Sequence, residues 1–305
     1  FRLLPETHQL FDVLDHEADF NRYRLLILPD EIAVDAALKR KLDAYLAQGG
    51  HLLLTGASGR VAGGDGWAFD LGMTDDGLSE FQPDYILPIP ELRPAFVASP
   101  MVMYFKSRRI RATRATPLGD VYDPYFNRTF RHFCSHQHAP PRPTPSGYHL
   151  GVRHGPIVYL AHPVFQIYRA YGAVAVRDFV ARTIRSLLEG GPAIESNLPS
   201  SARVTLMRQA EHRRCVLHAL HAVPIARGGP MTLSGGTTFA SGSRIEVVED
   251  LLPLRDVHIA VRLPFRPRRV TLEPQGREIP FQERGGRYAV TLDELVCHQM
   301  IVFHE

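Results

Sequence analysis

The sequence predicts two folds in series: an α/β doubly wound domain over residues 1–195, then an all-β sandwich over residues 196–305. Three observations lead there. The runs Leu25–Pro29 and Ile157–Ala161 are apolar on both faces, as strands of a sheet covered on both sides must be. Stretches with helical spacing follow such runs at Leu38–Leu46 and Val174–Leu188. After Pro199 the pattern changes to short alternating runs separated by Gly and Pro, with no helical window between them. A chain of 305 residues also suits two domains at roughly 100 to 200 residues each.

In chain order, Arg2 to Leu10 reads as the tail of a helix leading into a strand at FDVLD, Phe11 to Asp15. A doubly wound helix crosses over from a preceding strand, and none precedes this one. The expectation is therefore a fragment whose first strand lies upstream, which agrees with Phe1 standing where Met would. RLLILPD is the next strand. Its helix is marked by Ile32, Leu38, Leu42, Tyr45 and Leu46, with Asp30 or Asp35 as the N-cap and Gly49 and Gly50 where a left-handed C-cap sits. HLLLT, His51 to Thr55, follows as a strand. Val61 to Pro100, rich in Gly, Asp and Pro, reads as an irregular surface excursion, and Val121 to Gly147 as a second, ending in APPRPTPSG. PIVYLAHPVF restores a strand. In the helix after it Val176, Phe179, Val180, Ile184, Leu187 and Leu188 share a face, and Gly190, Gly191 and Pro192 stop it. Beyond a linker at Ala193 to Ser201, the strands are ARVTLMRQ, RRCVLHALHAV, RIEVVED, VHIAVRLP, RRVTLEP and RYAVTLDEL.

Composition narrows the function classes. Hydrophobic residues at 45% and charged residues at 22% exclude wholesale disorder. A formal charge of +3 demands no nucleic-acid partner. The apolar runs fall far short of the ~20 residues that cross a bilayer, so a soluble chain with no membrane partner is expected. Cys134, Cys215 and Cys297 are widely spaced, with neither a disulfide framework nor finger spacing; reduced, buried thiols are expected, no metal or other cofactor is implied, and the cytoplasm is the favoured compartment.

No complete catalytic constellation emerges. Ser58 sits in GGHLLLTGASGR, a strand ending in a small-residue turn, where α/β folds place phosphate loops or nucleophile elbows. The Gly-x-Ser-x-Gly frame and the Lys-Ser/Thr pair are both missing, so a structural turn is the alternative. In RHFCSHQHAPP, His132, His136 and His138 could bind a metal, line a carbohydrate cleft or interface, or pack the loop; no acidic residue lies among them. Tyr122, Tyr125, Phe126, Phe130 and Phe133 in the same excursion could stack on sugar rings or anchor the loop to a neighbouring surface. AHPVFQIYRAYG sets His162, Tyr168, Arg169 and Tyr171 just beyond a strand, either as site residues or as helix-entry packing. Glu249 and Asp250, adjacent on a strand, point to opposite faces and cannot flank one glycosidic bond. Arg262, Arg266, Arg268 and Arg269 read as a solvated or interface face.

The ordered pieces resemble a known group. HQLFDVLDHEADFNRYRLLILPD and LDAYLAQGGHLLLTGASGR resemble the trimerisation domain of family-42 β-galactosidases, which is similar to flavodoxin-like class I glutamine amidotransferases without their active site. FRHFCSHQHAPP, PIVYLAHPVFQIYRAYG, IEVVEDLLPLRDVHIAVRLPF and the closing Gln299 to Phe303 resemble the C-terminal half of family-151-type α-L-fucosidases and related glycoside hydrolases. The resemblance implies that a TIM barrel carrying the catalytic acid and nucleophile lies outside this chain. It also implies that the amidotransferase nucleophile is lost, Gly56 standing in that neighbourhood with no cysteine near. The expected function is that of a non-catalytic C-terminal part of a glycoside hydrolase, meeting carbohydrate through the parent enzyme, packing on the TIM barrel and forming a homo-oligomer. Ser58, His136, His138, His162 and Tyr168 are its candidate cleft or interface residues. Two other readings stay open: a stand-alone hydrolase using Ser58 with a histidine, and a carbohydrate-binding module.

Overall fold

A computed structural model describes residues 2–229 and 244–305. They form two compact units: Val13–Gly191, and Phe1–Asp12 together with Pro192–Glu305.

The doubly wound expectation is overturned, because the chain is mostly β-sheet. In the unit Val13–Gly191 a five-stranded sheet runs in the order Leu25–Leu28, His51–Thr55, Ile157–Leu160, Gly151–His154, Thr116–Pro117. Leu25–Leu28, His51–Thr55 and Ile157–Leu160 are parallel, and Gly151–His154 and Thr116–Pro117 extend the sheet in antiparallel fashion. The parallel strands drew the expectation because they are buried on both faces; Leu52, Leu53 and Leu54 are wholly inaccessible. The sheet then continues by antiparallel pairing, first through the hairpin of Gly151–His154 with Ile157–Leu160, rather than through helical crossovers. FDVLD is also corrected: Phe11 to Asp15 form no strand, Phe11 and Val13 are exposed, and the segment spans the division between the two units.

The helix Ala36–Ala47 links the first two parallel strands. Asp35 caps it, its Oδ1 accepting from Leu38 N at 2.8 Å. Its buried Leu42 and Tyr45 reach the sheet core. Gly49, at φ +90°, reverses the chain, and a Cβ on Gly50 would stand 2.2 Å from the Tyr45 ring. The helix Val174–Leu187 buries Val176, Phe179, Val180, Ile184 and Leu187, the face that the spacing predicts.

The excursion after Val61 is ordered into strands, against expectation. Met73–Leu78 pairs with Arg108–Ala112, and Asp84–Pro88 lies between Met101–Met103 and Gly119–Tyr122. Charge pairing replaces apolar alternation in the first pair: Arg108 Nε meets Asp75 Oδ2 at 2.7 Å, and Arg111 meets Asp76. Trp67 Nε1 donates to the same Asp75 oxygen at 3.1 Å.

The other unit is a β-sandwich. A five-stranded sheet has the order Arg203–Gln209, Arg214–His221, Cys297–His304, Arg269–Glu273, Arg277–Ile279, and a four-stranded sheet the order Ile194–Ser196, Leu254–Val261, Arg287–Leu295, Gln282–Arg284. Their inner faces meet in one core, with Leu217, Val270, Ile301 and Phe303 from the first sheet and Ile259, Val261, Val290 and Leu292 from the second. Each such side chain contributes about 1.5–3 kcal/mol on full burial. RIEVVED is a strand only at Ile245–Val247, so Glu249 and Asp250 lie beyond it, and Glu249 pairs with Arg227. Of the cysteines Cys215 alone is buried, which pushes its thiol pKa up, while Cys134 and Cys297 are half-buried; all three are free. No helix among the described residues is long and apolar enough to cross a membrane.

Candidate functional site

Open sheets with parallel strands bind ligands beyond the carboxyl ends of those strands. Here those ends carry Asp30, the Thr55–Ser58 turn and His162, and polar groups fill the space against one another.

Asp30 is buried in a left-handed conformation at φ +56°. Its Oδ1 accepts from Thr55 Oγ1 at 2.6 Å and its Oδ2 from Gln166 N at 2.7 Å. Gln166 lies in the first turn of the helix Val164–Tyr171, so Asp30 satisfies an orphan N–H of that helix from across the sheet end. Asp35 caps the nearer helix and Asp30 a distant one. Burial raises the Asp30 pKa above the ordinary carboxylate value, and the bonds from Thr55 and Gln166 oppose that rise.

Ser58 is wholly buried, at 0% exposure. Its Oγ accepts from Ile32 N at 2.9 Å, and its own N–H bonds Thr55 O at 3.0 Å. Among the described residues no hydrogen bond joins Ser58 to a histidine. Gly56 adopts φ +61°, and a Cβ there would stand 2.9 Å from Asp30 O and 3.2 Å from Pro163. Any larger side chain at this turn is both strained and crowded.

His162 and Asp84 make a second buried cluster, at 1% and 0% exposure. Nε2 of His162 lies 2.6 Å from Asp84 Oδ1, and Ser107 Oγ donates to Oδ2 at 2.7 Å. A nucleophilic triad needs the imidazole between hydroxyl and carboxylate. Here the carboxylate is in the middle, so His162 cannot take the Ser107 proton. This arrangement fixes three chain segments and exposes no reactive atom. Tyr168 is buried on the helix that follows.

His136 and His138 lie in the exposed segment before Pro140. The His138 ring is 6.1 Å from Tyr85 and 5.8 Å from Tyr104, centroid to centroid, and Tyr104 lies 4.3 Å from Tyr171. Tyr85 donates from its hydroxyl to Ala139 O at 2.6 Å, and burial with Tyr104 and Cys134 nearby pushes its pKa up to about 12. Cys134 Sγ reaches the carbonyls of His136 and His138 at 3.5 Å. No group of three or more His, Cys, Asp or Glu among the described residues is placed to hold a metal. Phe130, 97% exposed, and Phe133 project from this segment.

Sequence reasoning missed Asp84 and Ser107 altogether, because partners 78 and 23 residues from Asp84 leave no local spacing. It noticed Asp30 as a cap, which it is, for a different helix.

Residues 1–71 match the family described as the β-galactosidase trimerisation domain. Across the whole chain the structure is similar to α-L-fucosidase isoenzyme 2 from Paenibacillus thiaminolyticus, at 37% identity and TM-score 0.90, covering 99% of this chain and 44% of that one. It shares its fold with the β-galactosidase of Bacillus circulans sp. alkalophilus, at 13% identity and TM-score 0.57, covering 99% and 36%. The cold-adapted β-galactosidase of Rahnella sp. R3 gives 14% identity and TM-score 0.54, covering 98% and 35%. The chain thus spans less than half the length of each of these enzymes. No curated protein sequence matches it. These comparisons leave the likeness to glutamine amidotransferases unsupported.

Proposed function

We propose that this chain is the non-catalytic C-terminal part of a glycoside hydrolase of the α-L-fucosidase or β-galactosidase kind, whose catalytic carboxylates lie on a TIM barrel outside these residues. One observation carries the reading: the match of residues 1–71 to a trimerisation domain, within a chain 37% identical over 99% of its length to part of a fucosidase. The closed polar clusters support it, since Ser58, Asp84 and His162 are all spent on holding chain segments together. The role is assembly. The chain forms a homo-oligomer of closed cyclic symmetry, and the segments 61–100 and 121–147, with His136 and His138 in the second, lie on contact surfaces with another copy or with the barrel. Ser58, His162 and Tyr168 shape the strand ends from beneath. The domain boundary belongs between the helix Val174–Leu187 and the strand Ile194–Ser196, a few residues ahead of 195 and 196.

The test is an assay of the chain on aryl α-L-fucosides and aryl β-D-galactosides. No turnover is expected; turnover that survives Ser58→Ala and His162→Asn equally well would refute the non-catalytic reading, and turnover lost with Ser58 would replace it by the hydrolase one.

A further inference from the structure

We infer that the corner of the sandwich where the strand Cys297–His304 ends binds a tetrahedral oxyanion carried as an ester, a phosphate or a sulfate on a small alcohol such as a sugar. The sequence sets Arg268 and Arg269 in a run that reads as a solvated face, and the fold brings Arg213 to them from a distant part of the chain. The register builds the corner. Arg214 and Arg269 both lie opposite His304, on the two strands that flank it. The N–H of Arg268 bonds His304 O at 2.8 Å, and the N–H of Glu305 bonds Arg213 O at 2.9 Å. These bonds draw the turn that Arg213 closes and the start of the strand Arg269–Glu273 to the same strand end.

The pocket between them has a volume of about 370 Å³ and is lined by His212, Arg213, Arg268, Arg269, His304 and Glu305. Its three guanidiniums are unspent: among the described residues none of them makes a hydrogen bond, an ion pair or a ring contact. Glu305 is the one acidic residue in the described lining, and even counted with its terminal carboxyl it leaves the arginines in excess. Arg213 holds φ +48°, a left-handed backbone that bulky residues rarely adopt. Glycine meets no strain there, so the chain accepts a local cost to hold a guanidinium at this turn. Nε2 of His304 lies 2.9 Å from Thr271 Oγ1, which fixes the ring. Burial, with Arg269 and Arg214 beside it, holds the His304 pKa below the ordinary histidine value, against the opposing Glu273 and Glu278.

The number of guanidiniums selects the class of anion. A guanidinium pairs best through two parallel N–H···O bonds to one anion. Three of them outnumber the two oxygens of a carboxylate, whereas a phosphate or sulfate ester presents three terminal oxygens. The pocket volume lies within the range of small-molecule sites, which leaves room for the alcohol that carries the group. The inference stands apart from the assembly reading, because nothing in it requires a second copy or a barrel.

Isothermal titration calorimetry on the whole chain at fixed ionic strength tests it, with glucose 6-phosphate and glucose 6-sulfate as probes, glucose as the neutral control and acetate as the bare carboxylate. At least one ester should bind about tenfold more tightly than glucose or acetate, the worth of one hydrogen bond to a charged group, and the tighter of the two names the ester. Arg268→Gln and Arg269→Gln, at exposed side chains, should each weaken that ester about tenfold while keeping the wild-type thermal midpoint. Arg255→Gln removes one positive charge at the start of the strand Leu254–Val261, whose opposite end leads toward Arg268. That separation exceeds the Debye length of about 8 Å at physiological salt, so this variant should bind the ester within about twofold of wild type. The comparison with acetate needs no variant and decides even if the arginine variants melt early. Absence of ester binding, equal binding of acetate and ester, undiminished binding in both folded pocket variants, or a loss in Arg255→Gln as large as theirs would each overturn the inference.

Discussion

The two ends of this molecule's polar chemistry contrast sharply. At the carboxyl ends of the parallel strands, Asp30, Asp84, Ser107 and His162 are buried and hydrogen-bonded to one another or to backbone. On the outer sheet face of the sandwich, His258, Thr291, Asn197 and Gln282 are exposed around a floor of alanine. The first set resembles an active site in residue type and the second does not. Accessibility separates the two sets more sharply than residue type does. Polar groups that satisfy each other inside a fold offset the cost of their own desolvation, whereas those on a sheet surface keep water as a partner and carry no such cost.

The contrast can be broken at its strongest point first. Asp84→Ala leaves His162 and Ser107 buried without their shared acceptor. It should lower unfolding stability by about 3–5 kcal/mol, since two buried groups lose the one hydrogen-bond partner they share. A urea midpoint close to wild type would show the cluster to be dispensable.

Asp30→Ala strips the acceptor from Thr55 Oγ1 and Gln166 N. A loss of about 2–3 kcal/mol is expected from the two unsatisfied donors. Its pH dependence has a definite sign. Burial raises the folded-state pKa of Asp30, so the folded state holds that proton more tightly than the unfolded one. Wild-type stability therefore falls as pH rises from the ordinary carboxylate value through the raised folded one, and the variant lacks that fall. The gap between wild type and variant should be widest at the acid end of this window and narrower above it. A gap that widens with pH would reverse the assigned cause.

Ser58→Ala removes only the acceptor for Ile32 N and should cost about 1 kcal/mol by thermal or urea melting, with no effect on assembly. Phe130→Ala, at a side chain 97% exposed, should leave stability within about 0.5 kcal/mol. Its expected effect is on self-association: a weaker oligomer with an unchanged melting point places Phe130 at a contact, and a lower melting point with unchanged mass removes it from one.

Legibility in the sequence followed the range of the interactions. The helix Val174–Leu187 was readable because its buried face repeats every three or four residues, and HLLLT because both its faces are apolar. The alternation of Arg214–His221 and Leu254–Val261 likewise marked strands with one face in the core. Met73–Leu78 was unreadable, since its strand is held by Asp75 and Asp76 meeting arginines that lie 33 and 35 residues away. The doubly wound reading failed for a related reason: parallel pairing was visible in apolar runs, while the sheet is continued by short antiparallel strands, Gly151–His154 and Thr116–Pro117, that carry little apolar pattern. The site clusters were hidden for the same cause, because Asp84 and His162 meet only in the folded chain. The alanine floor depends on cross-strand register, and no single strand displays that.

The central claim is that this chain exists for assembly, and its mass in solution tests it most directly. Multi-angle light scattering at micromolar concentration should give two or more times the 34.2 kDa chain mass, three copies if the trimerisation family sets the number. A single 34.2 kDa species under those conditions would contradict the claim.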